Sequence, residues 1–249
     1  MRKFGLIGHP IEHSLSPLLF KAAYDDAVDM SYDLIQTPSF DDAVAMFRSG
    51  YDAINVTAPF KEMAFRAADD ADEYAAKLGA ANVLVKSNGK IKAYNTDCPG
   101  VMTILQEMPE QVGHSVLVVG CGGAGKAAAL AAASLGCKVT IANRDYAKAE
   151  EFSRKMGISP IRLEDIPHNE SKTIIYTLPI YIEFLGDLDF GGKTVLEANY
   201  RNPSLERLCD DGGGLYIHGK RWLMEQAIYG FKVMTGLEPD GHQIKGCLK

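Results

Sequence analysis

The sequence lacks any apolar run long enough to span a bilayer; its longest apolar stretches, such as residues 127–135, are short and rich in alanine. It also lacks runs of lysine and arginine. Acidic residues outnumber basic ones by 32 to 26, for a formal net charge of −6. This excludes a general attraction to nucleic acid or to anionic membranes, so an anionic ligand has to be held by local groups. Cysteine is sparse: Cys98, Cys121, Cys137, Cys209 and Cys247 are odd in number, widely spaced, and never at metal-ligand spacing. Reduced thiols and no metal site are expected; Cys121, inside a glycine-rich turn, is the candidate for oxidation, although a small buried cysteine is the commoner case. The first strand pattern opens at Lys3, which leaves no room for a signal peptide, and a cytoplasmic protein is expected. Internal repeats and low-complexity tracts are absent. The hydrophobic fraction of 47% is enough for one large core or two modest ones.

Extended apolar patterns fall at residues 4–8, 32–36, 53–56, 83–86, 116–120, 138–142, 173–177, 194–197 and 215–217. Amphipathic segments lie between most of them, at 17–27, 40–47, 71–78, 99–108, 124–135, 147–156 and 222–234. Such alternation implies parallel sheets with crossover helices, an α/β fold. One hairpin interrupts it: Asn88-Gly89 suits a tight primed turn between 83–86 and 91–94. A fresh strand and glycine-rich turn follow from Val116, so a second domain is expected to start between Asp97 and Ser115.

That second half carries the clearer chemistry. Gly120, Gly122, Gly123 and Gly125 form Gly-x-Gly-Gly-x-Gly between a buried-strand pattern and an alanine-rich helix that includes Ala124. Glycines permit the tight turn and close backbone approach, while a helix N-terminus offers N–H groups to a pyrophosphate, so dinucleotide binding is expected over a merely structural turn. The next strand ends at Asn143-Arg144-Asp145, with Lys148 one helical turn further on. An NAD site usually places an acid there for the ribose 2′-hydroxyl; Arg144 and Lys148 suit a 2′-phosphate instead, which favours NADP. Asp145 leaves alternatives open, because it can serve a ribose hydroxyl or sit favourably at a helix start.

In the first half, Ser14 and Ser16 precede Pro17; Ser16 reads as an N-cap, and two hydroxyls beside free helix N–H groups make a seat for a carboxylate. Lys61 follows Asn55-Val56-Thr57-Ala58-Pro59-Phe60 in a first helical turn, where the dipole favours anions, so its charge suggests a task. Asn82 precedes the hairpin and Asn95-Thr96-Asp97 follows it.

Taken in order, Gly8-His9-Pro10 and His13 to Pro17, Asn55 to Lys61, Asn95-Thr96-Asp97, the glycine-rich turn, Tyr200, and Gly219 with Leu223 and Gln226-Ala227 resemble the shikimate dehydrogenase family over nearly the whole chain. The resemblance implies two α/β domains, the C-terminal one of Rossmann type, with the active site in the cleft between them. Its expected boundaries are 1–97 plus 222–249 for a substrate-binding catalytic domain and 98–221 for a dinucleotide-binding domain. It implies reversible NADPH-dependent reduction of 3-dehydroshikimate to shikimate, a step in aromatic amino acid biosynthesis. Lys61 and Asp97 would be the catalytic pair, with Asp97 orienting Lys61 and supporting its charge. Ser14, Ser16, Thr57, Asn82, Tyr200 and Gln226 would bind substrate. Gly120, Gly122, Gly123, Ala124, Gly125, Asn143, Arg144, Lys148 and Gly219 would bind the cofactor. The only partners expected are these small molecules, and monomer and homodimer both stay open. An NAD-preferring quinate/shikimate dehydrogenase and a non-catalytic dinucleotide-binding regulator are the alternatives. The chain departs from the family pattern at Thr177-Leu178-Pro179-Ile180-Tyr181, where a Thr-Pro-x-Gly-Met loop is usual near the nicotinamide, and at Val83, Glu197 and Trp222.

Overall fold

The computed structural model describes residues 1–24, 29–108 and 114–248. It divides into two compact units, Met1–Gly100 with Met224–Lys249, and Val101–Leu223. The chain leaves the first unit within one helix and rejoins it within another, after Gly100 and before Met224. The helical expectation for residues 25–27 lies outside the described residues.

The first unit runs β1 (Arg2–Gly8), α1 (Ser16–Tyr24), β2 (Met30–Gln36), α2 (Phe40–Gly50), β3 (Ala53–Val56), α3 (Lys61–Arg66), β4 (Asp70–Ala71), α4 (Glu73–Leu78), β5 (Val83–Ser87), β6 (Lys90–Tyr94) and the start of α5 (Asp97–Glu107). Its sheet order is β2-β1-β3-β5-β6-β4. β1 runs parallel to β2 and β3, whereas β5 is antiparallel to both β3 and β6, so the sheet is mixed rather than parallel. Between β5 and β6 the cause is local: Asn88 and Gly89 both take positive φ, 52° and 76°, the geometry of a primed two-residue turn that reverses the strand. One face of the sheet is covered by a core that includes Ile7, Phe47, Ile54 and Leu84, all fully buried. A second cluster stacks Phe20 against Phe4, Tyr32 and Phe231, with ring centroids 5.4, 4.8 and 5.1 Å away. Phe231 comes from the far end of the chain. A buried aromatic of this size contributes roughly 1.5–3 kcal/mol, which makes this cluster a strong tether for the returning helix.

In the second unit, β7 (Ser115–Val119), α6 (Gly123–Ser134), β8 (Lys138–Ala142), α7 (Tyr146–Met156), β9 (Ser159–Ile161), β10 (Thr173–Tyr176), β11 (Thr194–Glu197), α8 (Glu206–Asp211) and β12 (Leu215–His218) alternate, with short 3-10 helices at Leu163–His168 and Glu183–Leu185. The sheet order is β12-β11-β10-β7-β8-β9 and every pairing is parallel. Buried strands such as β10, in which all four residues are buried, fit a sheet covered on both faces. α9 (Gly219–Thr235) then carries the chain back to the first unit, which ends with α10 (Gly241–Gly246). No described helix is long and apolar enough to cross a membrane.

Candidate active site

Lys61 is the first residue of α3 and Asp97 the first of α5, and their side chains form a direct ion pair. The two side chains are 22% and 12% exposed. The lysine at a helix start, unfavourable by the dipole alone, is thus explained by its partner. Its backbone is also tied down, because the carbonyl of Lys61 accepts from Ala81 N–H at 2.9 Å.

Asn82, next to Ala81, is the hub of a buried network. Its Nδ2 donates to Thr96 Oγ1 at 2.9 Å and to Gln226 Oε1 at 3.3 Å, and its Oδ1 accepts from Thr96 N–H at 2.7 Å. Thr96 Oγ1 in turn donates to Gln226 Oε1 at 3.2 Å. Gln226 reaches this position because Gly100 has no side chain: a Cβ there would come within 2.9 Å of the Gln226 nitrogen. Asn95 supports the start of α5, donating to Ala80 O at 3.1 Å and accepting from Cys98 N–H at 3.3 Å.

At the start of α1, Ser14 Oγ donates to Ser16 Oγ at 3.1 Å and accepts from Ser16 N–H at 3.2 Å. Ser16 lies within α1 as its first residue, rather than just before it. Its side chain lies near that of Tyr32, whose hydroxyl donates to Asn55 Oδ1 at 2.7 Å; burial pushes the Tyr32 phenol well above its ordinary value. Asn55 Nδ2 reaches Asn82 O at 3.5 Å. A polar chain therefore runs Ser14–Ser16–Tyr32–Asn55–Asn82–Thr96–Gln226. Thr57 sits just beyond β3, its N–H donating to Ile7 O at 2.9 Å. Tyr32, Asn55 and Thr96 are not among the residues expected from the sequence. Asn55, a polar residue within an apolar four-residue strand, was the available signal; Tyr32 had none, since a tyrosine on a half-buried strand is ordinary.

The second unit has its own constellation at the C-terminal ends of its strands. The sheet order reverses between β7 and β10, the place where open parallel sheets bind ligands. Gly120 takes φ 108°, and a Cβ there would lie 2.4 Å from Thr177 Oγ1, itself bonded to Val119 O at 2.9 Å. A Cβ on Gly125 would lie 1.9 Å from Gly120 O, so only glycine lets the turn close onto α6. Gly122 caps α6 without a side chain, and Gly123, Ala124 and Gly125 form its first turn. Asn143 is used internally: its Oδ1 accepts from Cys121 N–H at 3.0 Å, and its Nδ2 donates to Asp145 O at 2.9 Å, linking the glycine turn to the loop after β8. Asp145 caps α7, its Oδ1 accepting from Lys148 N–H at 3.2 Å. Arg144 and Lys148 are exposed, and neither forms an ion pair among the described residues. Gly219, the first residue of α9, would place a Cβ 2.5 Å from Glu197 O, which is a packing reason for glycine at that position. Tyr200 lies in this unit too, in the loop after β11. Cys121 is buried and its thiol is raised by burial, which argues against the reactive role. Cys98 is pushed up to about 12, again by burial. No cluster of metal-ligating side chains occurs among the described residues.

A parallel, doubly wound dinucleotide fold joined to a mixed α/β unit that carries a Lys–Asp pair defines a two-domain dehydrogenase class. Residues 6–84 match the family model of the shikimate dehydrogenase substrate binding domain, and residues 90–184 that of the alanine dehydrogenase/PNT C-terminal domain. A shikimate dehydrogenase (NADP(+)) of Halobacterium salinarum is 35% identical over 100% of this chain and 99% of its own length. One from Ignicoccus hospitalis is 35% identical over 95% of this chain and 94% of its own. The crystal structure of shikimate 5-dehydrogenase from Thermus thermophilus in complex with NADP(H) and shikimate superposes with a TM-score of 0.88, at 27% identity, covering 99% of this chain and 98% of that one. The chain belongs to the shikimate dehydrogenase family.

Proposed function

We propose that Lys61 and Asp97 are the proton-transfer pair of this NADP-dependent shikimate dehydrogenase, which interconverts 3-dehydroshikimate and shikimate. The observation that carries this reading is the Lys61–Asp97 ion pair set beside the Asn82–Thr96–Gln226 network. The glycine cradle around Gly120 and Gly125, the α6 N-terminus without a side-chain cap and the exposed Arg144 and Lys148 fit a dinucleotide carrying an extra phosphate. When bound, the nicotinamide supplies the hydride that reduces the ketone carbon.

The chain's own residues handle position and the proton. As charge develops on the ketone oxygen, the Lys61 ammonium neutralises it and donates a proton; in the oxidative direction neutral Lys61 accepts it. Asp97 fixes the direction of the Lys61 N–H groups. Ser14 and Ser16 seat the substrate carboxylate, while Thr57, Asn82, Gln226 and Tyr200 address its hydroxyls. Arg144 and Lys148 hold the 2′-phosphate, with Gly120, Gly122, Gly123, Ala124 and Gly125 at the pyrophosphate. Because the Asp145 carboxylate already caps α7, it serves the helix first and leaves Arg144 to select the cofactor. The test crosses shikimate and quinate with NADP⁺ and NAD⁺, read by nicotinamide absorbance near ~340 nm. Shikimate with NADP⁺ should turn over fastest. Preference for quinate with NAD⁺, or no turnover in any combination, would overturn the reading.

A further inference from the structure

Glu197, the last residue of β11, is fully buried, yet it has no part in the proton chemistry above. Its Oε1 accepts from Ser204 N–H at 2.7 Å and from Ser204 Oγ at 2.9 Å. Its Oε2 accepts from Leu205 N–H at 3.0 Å and from the Tyr216 hydroxyl at 2.9 Å. All four lone-pair sites of an ionised carboxylate are thereby filled, and no cation forms an ion pair with it among the described residues. Burying a carboxylate is costly without such donors, and an apolar side chain usually fills a buried position at lower cost, so a specific geometry is being maintained.

That geometry is a loop. The backbone leaves β11 at Glu197 and comes back to the same carboxylate at Ser204 and Leu205, enclosing Asn199, Tyr200, Arg201 and Asn202. The base of the loop is fastened by Ala198 N–H to Tyr176 O at 2.8 Å. Its turn is closed by Asn199 Nδ2 to Asn202 O at 2.9 Å, and Asn199 Nδ2 also reaches Pro179 O at 3.4 Å in the neighbouring loop after β10. Tyr200 sits at the tip, with the exposed Arg201 guanidinium 5.9 Å from its ring centroid. Where the loop ends, Ser204 and Leu205 donate three hydrogen bonds to this one side chain.

We infer that Glu197 is a positioning residue for substrate binding, acting through the Tyr200 turn that its carboxylate closes; this rests on reading Tyr200 as a substrate-binding residue. Glutamine at this position turns one acceptor into a donor facing donors and so releases half of the ties, whereas Tyr216→Phe removes one tie and keeps the carboxylate.

The experiment measures substrate and cofactor constants, turnover, and tryptic cleavage after Arg201 by mass spectrometry. It uses the intact enzyme and its Glu197→Gln, Tyr216→Phe, Tyr200→Phe and Glu197→Gln/Tyr200→Phe variants. Glu197→Gln should raise the KM for shikimate on the order of tenfold, leave kcat and the NADP⁺ constant within about twofold, and speed cleavage after Arg201. Tyr216→Phe should shift the same quantities less, in the same direction. In the Tyr200→Phe background, Glu197→Gln should add nothing to KM, because the residue through which it acts is already altered. Equal KM increases in both backgrounds would overturn the inference, as would an unchanged KM with unchanged cleavage in folded Glu197→Gln. If that variant does not fold, unchanged constants and cleavage in Tyr216→Phe overturn it. An unchanged KM in Tyr200→Phe alone would instead sink the substrate role of Tyr200, while the cleavage rate still decides whether Glu197 holds the turn.

Discussion

Replacing Lys61 with alanine removes the ammonium that faces Asp97 and leaves the carboxylate at a site where its side chain is only 12% exposed. An ionised group so placed loses its lysine counter-charge without regaining full hydration, which costs about 1–3 kcal/mol of stability. The cost stays below the ~3–5 kcal/mol of a fully buried broken pair because both side chains keep some contact with water. For a chain of this size Tm falls about 2–4 °C per kcal/mol, so the variant should melt lower yet remain folded at 25 °C. Turnover should suffer far more: loss of the positioned proton donor lowers kcat by a factor on the order of 10²–10⁴, which corresponds to roughly 2.7–5.4 kcal/mol of barrier. The assay is kcat at saturating shikimate, with substrate affinity measured separately by calorimetry and folding by thermal denaturation. A group that only anchors substrate would weaken ground and transition states alike and leave kcat at saturation intact. Near-normal kcat with a raised substrate constant would therefore refute the proton-transfer role. Asp97→Asn, which keeps a hydrogen-bonding partner but removes the charge, should also lower kcat.

Arg144→Ala should weaken NADP⁺ by roughly 1.5–3 kcal/mol and leave NAD⁺ nearly unchanged, since only the former carries the phosphate that the guanidinium grips; equal losses would show that Arg144 does not read it. Gly125→Ala forces a Cβ to within 1.9 Å of Gly120 O, so the turn must open. The thermal shift produced by NADP⁺ should vanish in this variant, and a wild-type shift would refute the cradle. Tyr32→Phe removes the hydroxyl between Ser16 and Asn55 and leaves Asn55 Oδ1 without its donor. A loss of about 1–3 kcal/mol of stability is expected, with a raised shikimate KM; if denaturant titration and KM both stay at wild-type values, the bridge has no role.

The sequence by itself determined the features that depend on near neighbours. Alternating strand and helix patterns, the positive-φ turn at Asn88 and Gly89, and the glycine run before α6 are written in residues a few positions apart, where periodicity and backbone sterics decide. The resemblance to a family also rested on short motifs, and the candidate residues at Lys61, Asn82, Asp97 and Gln226 were legible one motif at a time.

What those residues do to one another was decided only by the tertiary structure. Asn82 meets Gln226 across 144 positions of chain because α9 returns to the first unit and Gly100 lets it approach. The antiparallel pairing of β3 with β5, the bridge from Ser16 through Tyr32 to Asn55, and the closure of the Tyr200 loop on Glu197 all join segments whose own sequences carry no sign of their partner. Asp145, open in sequence between ribose and helix, is seen to cap α7 through the hydrogen bond it accepts from Lys148 N–H. Local preference sets which element forms, whereas burial and hydrogen-bond satisfaction, summed over distant segments, select which side chains end up facing each other.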